Sequence, residues 1–267
     1  MIHSRSACQR FLPRLCAATA LLSVALAGTS RAADEPGNSS SAEVGATFTT
    51  VDSASNSNKS AAADFRITRA LTSIFGASLS ASAASADTQI DLPVDLPGKT
   101  VCSYEALSGT AALFARRPSL GRITASYSTA ELESKCGASG FAGNSATLDS
   151  DGYALAAEYY LPELTLTARR TVTSFGEDSE LVADIVSAAW YPITDLSVSA
   201  SAGRVGGRMQ YGFAIEHQPE ILGELASVSL SFSTLDAQGD SVRTISLAFA
   251  YHFGARVDLK TRDRRYR

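Results

Sequence analysis

From Ala226 to Ser233 the chain alternates without a break, with Val228, Leu230 and Phe232 at one parity and Ser227, Ser229, Ser231 and Ser233 at the other. Successive side chains of a β-strand point to opposite faces, so this period of two marks a strand with one apolar side. The pattern recurs with Ile245, Leu247, Phe249, Tyr251 and Phe253 on one face. It appears again in Leu196/Val198/Ala200 against Ser197/Ser199/Ser201, and in Phe75/Ala77/Leu79/Ala81 against Gly76/Ser78/Ser80/Ser82. The composition of the polar face narrows the fold further. A soluble β-sandwich turns its apolar face inward and carries Lys, Glu, Asp and Arg outside. Here the polar face is small and hydroxylated, which suits the crowded inside of a barrel whose apolar side meets lipid.

About twelve such segments are predicted, near 43–51, 62–69, 73–84, 104–116, 121–132, 150–161, 163–174, 180–191, 195–205, 208–218, 225–235 and 242–253. Ten strands is the alternative. Twelve is even, as bacterial single-chain barrels require, and the segments approach the ~9–11 residues of a tilted membrane strand. Tight turns at Arg69–Thr72, Arg117–Leu120, Leu161–Glu163, Pro192–Asp195 and Gln218–Glu220 alternate with longer polar connections at Asp52–Ala61, Ser85–Ser103 and Glu133–Asp149. Short turns on the periplasmic side and long loops outside is the barrel rule. The fold class is therefore all-β: a closed antiparallel up-and-down transmembrane barrel over 43–253. Of the long connections, only 85–103 has the length to fold inward, and none is an obvious plug.

The N-terminus fixes the compartment. Arg5, Arg10 and Arg14 precede an apolar run from Leu15 to Gly28, no acid occurs before Asp34, and Ser30 and Ala32 supply the small residues for a cut after Ala32. That layout is a secretory signal over 1–32, too short for the ~20 apolar residues of a spanning helix, with a periplasmic linker over 33–42. Cleavage removes four arginines and no acid, taking 23 Lys+Arg down to 19 against 27 Asp+Glu. An acidic mature chain lacks the basic footprint of a nucleic-acid binder. Cys8 and Cys16 leave with the signal, and Cys102 and Cys136 remain in an oxidising compartment, where an even pair reads as one disulfide. Both are expected to emerge on the outer face and to tie two loops there.

The run Ile245–Phe253, with alternating apolar positions ending in an aromatic, resembles the last-strand signal by which outer-membrane barrels are recognised for assembly. The whole mature chain is similar to the porin-like class of outer-membrane barrels. That resemblance implies a location in the Gram-negative outer membrane, contact with its lipid and lipopolysaccharide, and engagement of the barrel-assembly machinery by the last strand. It also implies a monomer. Fourteen residues follow Phe253; this tail, 254–267, is basic and reads as a solvated periplasmic segment. Tyr104, Tyr153 and Tyr211 near outer ends, and Tyr159, Trp190, Tyr191, Tyr251 and Phe253 near inner ends, are expected in the interfacial aromatic belts.

Charges that fall on the inward parity are the candidate functional groups. They are Arg66, Arg116, Arg122, Glu158, Arg169, Arg208 and Glu216, accompanied by Glu43 and Asp64. An Arg or Lys on the lipid face costs ~2–4 kcal/mol at midplane, so the lumen is the cheaper place, and in a channel such charges set ion selectivity. Over 163–191 the register stays open, because Arg169 and Arg170 cannot share a face and Asp184 conflicts with one of the two choices. After the signal only His217 and His252 remain, and both read as interfacial residues at inner strand ends. Glu216 and His217 are adjacent and point apart, so they form no dyad. No nucleophile–base cluster, metal-ligand spacing or cofactor motif stands out, and no enzyme is expected. The expected function is a porin-like channel passing ions or small hydrophilic solutes. The alternative is a non-conducting barrel whose loops serve adhesion or envelope structure, and an outer-leaflet lipid hydrolase is the weakest candidate because it lacks its histidine.

Overall fold

A computed structural model describes residues 40–53, 57–91, 99–137, 144–176, 179–222, 225–237, 240–253 and 257–265. Twelve strands form one closed antiparallel barrel. They are β1 (Ser40–Asp52), β2 (Ser57–Ala70), β3 (Phe75–Asp91), β4 (Lys99–Arg117), β5 (Gly121–Gly137), β6 (Asn144–Tyr160), β7 (Leu164–Phe175), β8 (Ser179–Ile193), β9 (Leu196–Val205), β10 (Arg208–His217), β11 (Ala226–Ala237) and β12 (Asp240–Phe253). Each pairs with its sequence neighbours, and β1 closes on β12 from Ala42↔Phe253 to Asp52↔Arg243. All twelve expected segments are strands, so the alternative of ten is excluded. The first strand starts at Ser40, inside the stretch expected as linker, and the signal region lies outside the described residues.

The strands run further at the long-loop end than the alternation alone suggests. The connection expected over 85–103 is largely hairpin, paired out to Asp91↔Lys99, so apart from 92–98, which lie outside the described residues, it does not fold into the lumen. The result is an uneven rim. β3 to β6 are 17, 19, 17 and 17 residues long, whereas β9 and β10 have 10 each. On the low side Gly206 and Gly207, at φ 56° and 80°, make the tight β9–β10 turn, whose two left-handed positions L side chains rarely adopt.

Parity sorts the side chains as the alternation requires. Phe48, Phe65, Leu79, Leu113, Ile123, Leu155, Val186, Phe213, Leu230 and Phe249 are exposed on the outside. A closed barrel wearing such a girdle has no favourable water-exposed state, so the exterior is a lipid-facing surface. Inside, hydroxyls bond one another across strands: Thr49 with Ser246 at 2.9 Å, and Ser82 with Ser108 at 2.7 Å. Tyr127 and Tyr153 pack 5.1 Å apart outside, while Tyr251 and Phe253 meet edge-on at 4.9 Å. Two expected belt residues belong elsewhere: Tyr104 shares the inward parity of Ser108 and Thr110, and Tyr191 is buried. The physical reason is the same for both, since parity follows the continuous pairing of the strand and overrides an aromatic's preference for the interface.

The tail does not behave as the solvated segment its composition suggests. Leu259–Arg265 forms a short helix, α1, with Leu259 fully buried. Asp258 caps it, its Oδ1 accepting from the Thr261 N–H at 2.8 Å.

Candidate functional site: an arginine-lined lumen stopped by a helix

Every charge expected to face inward does so. Arg116, Arg122 and Glu216 are buried within the barrel, and Arg66, Glu158, Arg169 and Arg208 occupy the inward parity of their strands. The structure does not gather them into one ring. Arg208 sits at the low outer rim beside the β9–β10 turn, and Glu216 lies near the inner end of β10. The ambiguous register resolves because Arg169 faces the lumen while Arg170 faces out, 3.7 Å from Asp184, so a lipid-side charge is partnered by its cross-strand neighbour.

The densest group lies at the inner mouth. The Arg122 guanidinium donates to Glu158 Oε1 at 2.5 Å, and the Tyr160 hydroxyl donates to Glu158 Oε2 at 2.8 Å. Arg122↔Glu158 is a cross-strand pair between β5 and β6, so the strand register itself builds the ion pair. Arg116 and Arg122 both lie over the ring of Phe114, at 5.9 and 5.8 Å. His252, expected at the interface, is instead on the inward face, with Nδ1 3.1 Å from Glu43 Oε2. His217 alone keeps an exposed position, its Nδ1 3.0 Å from the Asp195 carbonyl.

Helix α1 crosses this mouth. At its start the Gln218 side chain donates to the Val257 carbonyl at 2.9 Å, and the Lys260 N–H donates to the Thr194 carbonyl at 2.9 Å. At its end Arg116 donates to the Arg265 carbonyl. Gln218 follows β10 and Arg116 lies one residue from the end of β4, and those strands stand six places apart in a ring of twelve. The helix therefore bridges opposite walls. In between, the Tyr191 hydroxyl donates to Asp263 Oδ2 at 2.8 Å, and Arg264 stacks over Tyr160 and Tyr191 at 5.2 and 5.6 Å while donating to Thr165 Oγ1. No loop plugs the barrel among the described residues; the tail helix crosses its mouth instead, and charge composition hid it because Arg264 is satisfied by the Leu161 and Leu164 carbonyls and two aromatic rings instead of water.

Next to the helix lies a cavity of about 290 Å³, lined by five serines, five threonines, Arg66, Arg122, Arg169, Glu158 and Asp263 of α1. Towards the low rim an inward apolar cluster of Ala183, Val205 and Leu235, with Leu181, Ile185 and Val242, narrows one side. Among the described residues no group of His, Cys, Asp or Glu is placed to hold a metal ion. The register sets Cys102 directly opposite Cys136 across β4 and β5, so the pair sits within one extended hairpin and not between two separate loops.

No protein-family model and no curated protein matches the chain. Solved structures with the same fold do. The COG4313 outer membrane channel from Pseudomonas putida F1 superposes with a TM-score of 0.61 at 11% identity, over 85% of this chain and 98% of that one. The transport unit of the autotransporter AIDA-I from Escherichia coli gives 0.56 at 10%, over 82% and 91%. The KdgM porin in complex with disordered oligogalacturonate gives 0.51 at 7%, over 79% and 99%. The fold is that of the outer-membrane β-barrels.

Proposed function

We propose that this outer-membrane barrel is a narrow, porin-like channel for ions or small hydrophilic solutes, restricted at its periplasmic mouth by its own C-terminal helix. One observation carries the reading: the barrel encloses a chamber walled by hydroxyls and arginines. A barrel needed only as an anchor is served by an apolar, fully packed interior, because buried polar groups must each find a partner. Channels and a porin among the solved structures of the same fold are consistent with it. The protein acts as a monomer without catalytic chemistry, embedded in outer-membrane lipid and lipopolysaccharide and inserted by the assembly machinery through β12.

Planar-bilayer recording of the refolded full chain under a salt gradient tests the reading. Discrete conductance steps with a measurable reversal potential are expected. Silence from protein shown to be folded by its heat-modifiable gel mobility overturns it. The tall wall of β3 to β6 favours the second reading, an adhesive or envelope-structural role of the outer rim, which binding of the silent barrel to cell surfaces detects.

A further inference from the structure

We infer that the chamber beside α1 is a binding site for a small polyhydroxylated carboxylate, with Arg169 as its principal charged ligand. The inference rests on the channel reading for access, and adds to it a substrate class and a place. The charged groups of the chamber are unequal in what they have left to offer. Arg122 is committed to Glu158, and Asp263 to the Tyr191 hydroxyl. Arg66 stands opposite Glu43 in the β1–β2 register.

Arg169 differs. Its single hydrogen bond among the described residues runs from Nε to Thr171 Oγ1 at 3.3 Å, and the side chain lines the chamber with no carboxylate paired to it. Arg66 is close enough to repel its charge. Two neighbouring cations, one lacking a carboxylate, favour an anion between them, and the planar fork of arginine matches a carboxylate bidentately. The remaining lining chooses among anions. Serines and threonines from the surrounding strands offer donors and acceptors to hydroxyl groups, and the alanines between them, with Tyr191, offer flat apolar surface to the face of a ring. A volume of about 290 Å³ accommodates one sugar-sized ring.

The probe is glucuronate, compared with glucose, which has the hydroxyls without the charge. Isothermal titration on the folded full chain in detergent is expected to show glucuronate binding and no glucose binding. Arg169→Gln weakens it by about tenfold or more, the scale of one charge-assisted hydrogen bond. Arg170→Gln, the lipid-facing neighbour, leaves it unchanged. In the bilayer, glucuronate then blocks the chloride-borne current of the wild type and not of Arg169→Gln. Current with no preference for glucuronate over glucose overturns the site and leaves the channel standing. Glucuronate binding that Arg169→Gln does not weaken also overturns it, whereas binding without current overturns the channel alone.

Discussion

At the scale of single residues, the ion pair of Arg122 and Glu158 joins strand register to the chemistry of the mouth. Their side chains are only 4% and 12% exposed, so each charge depends on the other in place of water. Removing one partner of a buried pair leaves an uncompensated charge, at a cost of about 3–5 kcal/mol. Glu158→Gln is therefore expected to destabilise the barrel by roughly 3 kcal/mol, read as a lower midpoint in urea unfolding from lipid vesicles. An unchanged midpoint would show that water reaches Arg122. The double variant Glu158→Gln/Arg122→Met removes both charges, and it is expected to recover most of the loss because no ion is left stranded.

At the scale of elements, α1 and the β4–β5 hairpin make separate claims. The helix holds the mouth through Leu259, Asp263 and Arg264, and its bonds run to the ends of β6, β8 and β10 and to the β8–β9 turn. Deleting residues 257–267, or introducing charge with Leu259→Asp, is expected to raise unitary conductance severalfold without altering heat-modifiable folding. Equal conductance would mean that ions bypass the helix. In the hairpin, opposed Cα atoms of an antiparallel pair lie about 4.5–5.5 Å apart, within disulfide range. Alkylation of the unreduced folded protein should find no free thiol at Cys102 or Cys136, and reduction should release two. A bond between them closes a loop of about 34 residues and contributes about 4 kcal/mol by the chain-entropy model, so Cys102→Ser/Cys136→Ser is expected to unfold at lower denaturant. Two titratable thiols before reduction would remove the bond from the fold.

Elements also show what could be read in advance. The strands were legible because Ser alternating with Leu, Val and Phe has one geometric explanation. That parity alone puts Arg116, Arg122 and Glu158 inward. Parity also placed Arg169 opposite Arg170 but left their order to the pairing of β7 with β8. The tail was not legible in the same way. Asp258 ahead of Leu259 is a capping signal, yet seven residues of LKTRDRR carry one apolar side chain, too little to hold an isolated helix. Its order comes from walls contributed by β4, β6, β8 and β10, contacts that local sequence does not encode.

The whole molecule is a girdle of apolar side chains bounded by charge. Moving outward from the apolar band along the walls, the first charged lipid-side residue is Asp52 on β1, Lys59 on β2, Asp87 on β3, Glu105 on β4, Glu131 on β5, Asp151 on β6, Arg170 on β7, Asp184 on β8, Arg204 on β9, Asp236 on β11 and Arg243 on β12, while Arg69 on β2 and Arg117 on β4 stand on the same face at the inner edge. Together they bound an apolar band whose expected height is about 25 Å. Near the opposite edge stands Trp190, the chain's single tryptophan, half exposed on the lipid side at the inner end of β8. That position makes the membrane placement measurable without a label. In vesicles Trp190 emission is expected to be blue-shifted and quenched by lipids brominated near the headgroup end of the acyl chain, and less by lipids brominated near the bilayer centre, because an indole prefers the interface. Stronger quenching from the centre would place the inner mouth, with α1 and the arginine chamber, deeper than the girdle allows. Unquenched, red-shifted emission would put β8 in water and remove the premise that the outer face is a lipid face at all.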